Sequence, residues 1–272
     1  MFDTSWDLVH LALAARNAPG VSVSRYPRRS RLGSRPSPTR RSVKVVSAPL
    51  HLHVAPDPTA TAERGARFLA SEIAQAIVKR GQAHIALSGG STPWAMLREL
   101  RAMDMPWDAM HVYQVDERVA PDGDPDRNLT GLRNALLDHV PVHAHPLEVD
   151  PVRLDEPVLP NRFDVVHLGL GDDGHTASLV PDDPALEVSD RPLAVTAPYR
   201  GRQRVTMTFP VIDAARTVLW LACGSAKAPL VVRAVARDLR IPAGRVANPN
   251  QHWFLDEPAA AELPPTDTRS TQ

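Results

Sequence analysis

The chain has 272 residues, 43% of them apolar and 23% charged, which is the composition of a globular protein with a sizeable core and excludes disorder throughout. The 31 Lys and Arg residues equal the 31 Asp and Glu residues, so the overall charge indicates neither a nucleic-acid partner nor an anionic membrane surface. A single cysteine, Cys223, excludes an internal disulfide and fits a reducing compartment. No apolar run approaches the roughly 18 residues of a membrane helix, and we expect a cytoplasmic protein.

The first 47 residues differ from the rest of the chain. They carry eight Arg and one Lys against two Asp, a net charge of +7, which leaves −7 on residues 48–272. Because this segment is rich in Arg, Ser and Pro and has no apolar period, we predict that it is a disordered basic extension. Two interpretations stay open: residues 1–42 form an organelle transit peptide, or they result from a misassigned start codon. The predicted domain covers residues 48–257, and residues 258–272 are predicted to form a C-terminal tail.

From Ser47 onward, apolar runs of strand length alternate with amphipathic helices. The clearest helix signals are Asp57 and Pro58, an N-cap followed by a first-turn proline, with Gly81 as the end of that helix. Further helices are predicted around residues 96–100, from an Asn128 cap to Leu137, and over 226–237. The predicted strands are 51–55, 83–88, 110–115, 164–170, 204–209, 217–223 and 252–255. This alternation predicts a single α/β domain with a doubly wound, mostly parallel sheet and helices on both faces.

In such a sheet, ligands bind beyond the carboxyl ends of the strands, so the loops that follow the strands matter most. The loop after strand 83–88 reads SGGSTP and leads into a helix. Two glycines allow a close approach of the backbone, and the free N–H groups of the helix N-terminus favour a phosphate. The alternative is that SGGSTP is only a tight turn with helix-capping residues. The candidate phosphate-binding residues here are Gly89, Gly90, Ser91 and Thr92.

Strand 110–115 runs into Asp116-Glu117-Arg118. Three adjacent charged residues are commonly a solvated turn, but their position at the presumed binding edge makes Asp116 and Arg118 candidates for the site.

The loop after strand 164–170 combines glycines, carboxylates and a histidine in GLGDDGHTASL. Gly171 and Gly174 free the backbone, so Asp173 and His175 can both face a cavity. Imidazole ordinarily titrates near neutral pH, which makes His175 a candidate general base. No second His or Cys lies at ligand spacing, and we expect no metal site. By contrast, His84, His111 and His143 are interpreted as structural.

Two cations complete the candidate site. Lys227, in GSAK, stands at a predicted helix start and opposes the helix dipole there, which an anionic ligand would explain. Arg204 begins a strand and offers a fork suited to phosphate oxygens. For any single Lys or Arg, the alternative is a solvated surface charge.

Taken together, ALSGGSTP, VDERVAPDGDPDRN, FDVVHLGLGDDGHTASLVP, RVTMTFPVI and GSAKAP resemble the motifs of the 6-phosphogluconolactonases, in the glucosamine-6-phosphate isomerase/6-phosphogluconolactonase superfamily. The resemblance implies hydrolysis of 6-phospho-D-glucono-1,5-lactone to 6-phospho-D-gluconate in the oxidative branch of the pentose phosphate pathway. It implies a small sugar-phosphate lactone as substrate, without metal or cofactor. We expect a monomer with no nucleic-acid or membrane partner.

Under this resemblance, His175 acts as the general base, and either Asp173 or Asp116 orients it. The phosphate is expected on Gly89, Gly90, Ser91, Thr92, Arg204 and Lys227, with Arg118 as an addition.

Two alternatives are weighed against the lactonase. In the isomerase branch, a glutamate follows the DGH motif within a few residues, whereas this chain has TASLVPDDP there. A sugar-phosphate sensor of the same fold would bind without turnover, which leaves DGH unexplained. One departure from the family also stands out: between Val140 and Phe163 the chain has five prolines and no helical period, so the usual helix is predicted to be missing.

Overall fold

The computed structural model describes residues 50–154 and 157–264, so the predicted extension 1–47 lies outside the described residues. A seven-stranded parallel sheet has the order β1-β10-β9-β6-β2-β3-β5. Its strands are β1 (His51–Ala55), β2 (Ala83–Leu87), β3 (Met110–Gln114), β5 (His143–His145), β6 (Val165–Gly169), β9 (Thr217–Ala222) and β10 (Gln251–Asp256). A smaller antiparallel sheet has the order β4-β8-β7, with β4 (Asp116–Arg118), β7 (Leu193–Val195) and β8 (Arg204–Met207).

The helices are α1 (Pro58–Arg80), α2 (Ser91–Arg101), α3 (Asn128–Leu132, continued by a π-helical segment over Arg133–Leu137), α4 (Phe209–Ala214), α5 (Ala228–Val235), α6 (Pro242–Arg245) and α7 (Glu257–Ala260). As predicted, α1 is capped by Asp57, whose side chain accepts the Ala60 N–H at 2.8 Å. It ends at Gly81, which has a left-handed φ of 81°. None of the helices in the described ranges combines the length and apolar character needed to cross a lipid bilayer.

Both faces of the large sheet are covered, which confirms the predicted α/β fold. Along β9, Val218 and Trp220 pack in one core, while Leu219 and Leu221 pack in the other. The first core joins the large sheet to the small sheet and to α5, α6 and α7; the second joins it to α1, α2 and α3. Ala259 is fully buried, so the core reaches past the boundary predicted at residue 257.

The strand predicted over 204–209 does not belong to the parallel sheet. β8 instead pairs in antiparallel fashion with β4 and β7. All four residues of β8 are buried, and a strand buried on both faces has the same apolar pattern in either sheet. The helix predicted over 226–237 is also shorter, because a 3₁₀ turn, Ser225–Lys227, precedes α5.

The segment between α3 and β6 has no helix within its described residues, as its five prolines predicted. The only strand described there is β5, at the edge of the sheet.

Histidines stack along both edges of the large sheet, away from the carboxyl-end loops. His84, His111 and His143 occupy matching positions on β2, β3 and β5, with neighbouring ring centroids 4.7 and 4.8 Å apart. At the opposite edge, His252 stacks on His51 with ring centroids 4.3 Å apart. These contacts agree with the structural role that the sequence indicates for His84, His111 and His143.

Burial disfavours the charged form of several histidines in the folded protein. Burial, followed by neighbouring histidines, lowers the pKa of His111, and the same causes lower that of His252 to about 4. His167, fully buried in β6, has a pKa lowered by burial to about 3. Below a pH of about 6.5, the unfolded chain therefore binds more protons than the folded chain, and stability is expected to rise with pH in this range.

We expect the free energy of unfolding, measured by urea denaturation, to fall as the pH is lowered from 6.5 to 5. Each such histidine contributes at most about 1.4 kcal/mol per pH unit. His252→Gln should flatten this slope, whereas the same change at the exposed His139 should leave it unaltered. A free energy of unfolding that is constant over this range would contradict the prediction.

Candidate active site

A cleft opens at the carboxyl ends of β2 and β6, where the order of strands reverses. From β2 the chain moves outward to β3 and β5 and then returns to β6, on the other side of β2. Open α/β sheets bind ligands at this position. The cleft has a volume of about 120 Å³ and is lined by Ser88, Gly89, Asp116, Arg118, Asn128, Gly169, Leu170, Gly171, His175, Ala177 and Arg204. It brings together five of the predicted site residues: Gly89, Asp116, Arg118, His175 and Arg204.

The other five predicted residues are not in the lining of this cleft. Gly90 follows Gly89 and directly precedes α2, whose first two residues are Ser91 and Thr92. Asp173 contacts His175, which does line the cleft. Lys227 ends the 3₁₀ turn after β9, the strand beside β6, so it lies at the same edge of the sheet.

His175 is held by the carboxylate two residues before it. Its Nδ1 lies 2.6 Å from Asp173 Oδ1, and its backbone N–H donates to the same oxygen at 3.0 Å. The Tyr199 hydroxyl donates to Asp173 Oδ2 at 2.9 Å. Of the two carboxylates that the sequence left open, Asp173 is therefore the one in contact with His175.

The charge of Asp173 decides which ring nitrogen carries the proton. Partial burial acts to raise the Asp173 pKa, but hydrogen bonds from His175 and Tyr199 outweigh burial and hold it below its ordinary value. An ionised carboxylate only accepts hydrogen bonds, so Nδ1 of His175 is the donor. Nε2 is then the nitrogen with the free lone pair, and it has no hydrogen-bond partner within the described ranges. This arrangement suits a general base.

Two glycines let this turn fold tightly. A Cβ at Gly171 would overlap the His175 imidazole, and a Cβ at Gly174 would overlap Ile241. Gly174 also has a left-handed φ of 86°. These contacts explain why both positions in GDDG need glycine.

The glycine-rich loop after β2 closes another side of the cleft. The Ser88 hydroxyl donates to the His167 carbonyl at 2.9 Å, which ties β2 to β6. A Cβ at Gly89 would overlap the Asn128 side chain, so glycine permits this close approach. Gly90 stands before α2 with a φ of 132°, and no side chain caps this helix within the described residues. The first N–H groups of α2 are therefore available to an anion.

Asp116 forms the buried wall of the cleft. Its Oδ2 accepts from the Ser178 hydroxyl at 2.6 Å, and its Oδ1 accepts from the Asn128 amide at 3.1 Å. Burial raises the pKa of Asp116, while the Ser178 hydrogen bond and the nearby Arg118 and Arg204 act in the opposite direction. Asp116 thus links the DER loop to the turn that carries His175.

Glu117 has a structural part in the DER motif. Its fully buried carboxylate accepts the N–H groups of Asn128 and Leu129 at 2.7 and 2.8 Å, and so caps α3. The sequence predicted that Asn128 would be this cap, and that prediction was wrong. Because Glu117 satisfies the end of α3, the Asn128 side chain is free to bridge Asp116 and Arg118, with Arg118 Nη1 2.8 Å from Asn128 Oδ1.

Arg118 and Arg204 face each other across β4 and β8, where they are paired in register. Neither guanidinium forms an ion pair with a carboxylate within the described part of the chain. Arg204 is only 8% exposed, and its Nε has no hydrogen-bond partner among the described residues. Burial, followed by repulsion from Arg118, lowers the pKa of Arg204. Asp116 acts electrostatically on both guanidiniums but forms no ion pair with either in the described ranges, so the two arginines form a candidate site for an anion.

Two site residues were not identified from the sequence as functional. Asn128 follows a charged turn and has the residue type of an N-cap, so the sequence offered a simpler explanation. Tyr199 lies in the β7–β8 connection, distant in the chain from Asp173, and no local pattern marks it.

Among the described residues, one group of side chains has ligand atoms close enough to hold a metal: Asp172, Asp173 and His175, whose ligand atoms lie within 4.8 Å of one another. The carboxylate oxygens of this group are already engaged, whereas Nε2 of His175 is not. Arg200 Nη2 binds both oxygens of Asp172 at 2.7 and 2.8 Å, and Asp173 accepts from His175 and Tyr199. The carboxylates therefore serve to hold the turn.

A larger groove of about 470 Å³ lies beside the edge strand β5, between Tyr113, His145 and Leu159. Its cation, Arg153, lies 3.5 Å from Glu148 in an exposed ion pair. Because this groove combines no histidine–carboxylate pair with an unpaired cation, the smaller cleft is the better candidate for an active site.

The family model described as "Glucosamine-6-phosphate isomerases/6-phosphogluconolactonase" matches residues 56–255. The chain belongs to this family. A 6-phosphogluconolactonase from a Nostoc species is 36% identical over 236 residues, which cover 78% of this chain and 98% of the relative. One from Mycobacterium tuberculosis is 35% identical over 243 residues, with 78% and 98% covered. The solved structure of 6-phosphogluconolactonase from Trypanosoma brucei has a TM-score of 0.72 at 26% identity, covering 80% of this chain and all of that one.

Proposed function

We propose that this protein hydrolyses 6-phospho-D-glucono-1,5-lactone to 6-phospho-D-gluconate, in the oxidative branch of the pentose phosphate pathway. One observation carries the proposal: a histidine oriented by an ionised carboxylate shares a small cleft with two unpaired arginines. The histidine is suited to activate water, and the two arginines are suited to hold a phosphate. The family and the names of the relatives support the same reaction.

The phosphate is proposed to bind between Arg118 and Arg204 and the loop that begins at Gly89. The arginines supply charge-assisted hydrogen bonds, and the N–H groups at Gly90, Ser91 and Thr92 supply further donors. Lys227 does not line the cleft but lies at the same edge of the sheet, and it is proposed to contact the substrate once this is bound. A phosphate fixed at one end of the cleft would position the lactone carbonyl against His175.

In the chemical step, Nε2 of His175 takes a proton from a water molecule as the water oxygen attacks the lactone carbonyl carbon. The C–O bond to the ring oxygen then breaks, and the imidazolium returns the proton to that oxygen. Asp173 stabilises the imidazolium while it exists. The lactone is an activated ester, so no covalent nucleophile is needed.

The tetrahedral intermediate carries a negative charge on the former carbonyl oxygen. Backbone N–H groups of the two glycine-rich loops are proposed to donate to it. Asp116, beneath the cleft, is proposed to act through its bonds to Ser178 and Asn128, which set the cleft wall. We propose that the protein acts as a monomer, with the substrate held by residues from several elements of the same chain.

We expect the purified protein to hydrolyse fresh 6-phosphogluconolactone, measured as 6-phosphogluconate formed, with the spontaneous rate subtracted. Its kcat/KM for the phosphorylated lactone should exceed that for glucono-1,5-lactone by about tenfold or more, because the unphosphorylated lactone lacks the group that the arginines bind. Release of fructose 6-phosphate from glucosamine 6-phosphate would instead indicate the isomerase branch. Binding of phosphosugars without any turnover would indicate a sensor.

A further inference from the structure

The tip of the β7–β8 hairpin folds over the turn that carries His175. Tyr199 and Arg202 pair across this tip, with the Tyr199 N–H donating to the Arg202 carbonyl at 2.9 Å. Arg200 and Gly201 between them have left-handed φ values of 51° and 83°. This reversal places the side chains of Tyr199 and Arg200 against the two adjacent aspartates of the DDGH motif.

Each aspartate receives one side chain of the hairpin. The Tyr199 hydroxyl donates to Asp173 Oδ2 at 2.9 Å, and Arg200 binds both oxygens of Asp172. The Arg200–Asp172 pair is exposed on both sides, at 56% and 62%, so solvent screens it and it contributes little. Burial, followed by the hydrogen bond to Asp173, raises the pKa of Tyr199, so its hydroxyl stays protonated as a donor.

The ring of Tyr199 makes three further contacts, one of them with Arg200, whose guanidinium carbon lies 5.1 Å from the ring centroid. It meets the His175 imidazole edge-on, with ring centroids 5.6 Å apart. The guanidinium carbon of Arg204 lies 5.0 Å from the centroid of the same ring. One side chain thus touches the carboxylate partner of the base, the base itself and the buried cation of the anion site.

We propose that Tyr199 is a positioning residue for the Asp173–His175 pair, an inference that rests on the proposed function. Asp173 uses Oδ1 for both of its bonds to His175, and Tyr199 holds the remaining oxygen. With both oxygens engaged, the carboxylate cannot rotate away from the imidazole. The Tyr199 donor also draws charge from Asp173, which keeps the carboxylate from over-stabilising the protonated, inactive imidazole.

The test is Tyr199→Phe, which removes the hydroxyl and keeps the ring. We expect kcat for the phosphorylated lactone to fall by about three- to tenfold, the effect of one lost hydrogen bond, with KM unchanged. The acid limb of the pH–rate profile should move to higher pH by about half a unit, because Asp173 then holds the imidazole proton more tightly. Tyr199→Leu should in addition raise KM, since Arg204 loses the ring face beside it.

Two controls separate positioning from a general loss of structure. Tyr113→Phe removes a hydroxyl that contacts His84 at 3.1 Å, outside the cleft, and should change neither kcat nor the pH profile. Arg200→Ala removes the other hairpin contact and should lower kcat by less than Tyr199→Phe does. In an Asp173→Ala background, Tyr199→Phe should have no further effect on kcat, because the acceptor is gone.

The proposal would be overturned if the kcat of Tyr199→Phe lay within twofold of the wild-type value and the acid limb of its pH–rate profile moved by less than about 0.1 pH unit. So would an equal loss on Arg200→Ala, which would assign the effect to the hairpin as a whole. The proposed function is judged separately: if the wild type hydrolyses the lactone and His175→Gln does not, that function stands however Tyr199→Phe behaves.

Discussion

Replacing His175 with glutamine is expected to lower kcat for 6-phosphogluconolactone by about 10²–10⁴-fold, the range for loss of one general base. KM should change little, because the proposed phosphate ligands, Arg118 and Arg204, are untouched. Glutamine has no side-chain group that takes up a proton at neutral pH, so water attack loses its proton acceptor. The measurement is the initial rate with fresh lactone, with the spontaneous rate subtracted.

A histidine outside the cleft provides the matched control. His143→Gln alters the exposed ring of β5 and should leave both kcat and KM at wild-type values. If the DGH turn were only structural, His175→Gln would lower the melting temperature and leave kcat intact. That outcome would remove His175 from the mechanism and leave a carboxylate as the base.

The second large effect is expected at Arg204. Arg204→Ala removes the proposed buried charge-assisted partner of the phosphate, a contact of about 1.5–3 kcal/mol, so KM should rise by about 10- to 100-fold. The rate constants for unphosphorylated gluconolactone should stay unchanged, since that substrate has no phosphate to lose. Lys227→Ala, measured in the same way, tests whether Lys227 also contacts the bound phosphate.

The stability of the Arg204 variant distinguishes a binding residue from a structural one. Arg204 is buried beside Arg118, its Nε is unpaired, and burial lowers its pKa, so the charge is unfavourable in the free protein. Removing it should leave the melting temperature unchanged or raise it. As a control, Arg98→Ala on the exposed face of α2 should alter neither KM nor stability. A strongly lowered melting temperature with normal KM for Arg204→Ala would contradict the assignment.

The sequence predicted those elements that are decided by interactions between residues close together in the chain. The Asp57 cap, the first-turn proline and Gly81 delimit α1 because capping is decided within one turn of the helix. The DDGH turn was predictable for the same reason, because its glycines and His175 lie within five residues of one another. Prolines removed the helix before β6 because each one blocks a helical hydrogen bond.

Contacts between distant segments could not be read in this way. Arg118 and Arg204 become neighbours only because β4 and β8 pair in an antiparallel sheet, and the buried residues of β8 fit a parallel sheet equally well. Asn128 looked like a helix cap until Glu117 was seen to occupy that role.

The sequence by itself determined the α/β fold, the edge of the sheet that carries the candidate site, and the candidate base His175, because strand periodicity and turn chemistry act over a few residues. Only the tertiary structure decided that Asp173 rather than Asp116 contacts the base, and that Tyr199 holds Asp173 from the other side. Asp116 instead accepts hydrogen bonds from Ser178 and Asn128, and these bonds depend on how β4, α3 and the loop after β6 pack together. Hydrogen bonds between residues far apart in the chain have no local pattern, since the fold brings their partners within reach.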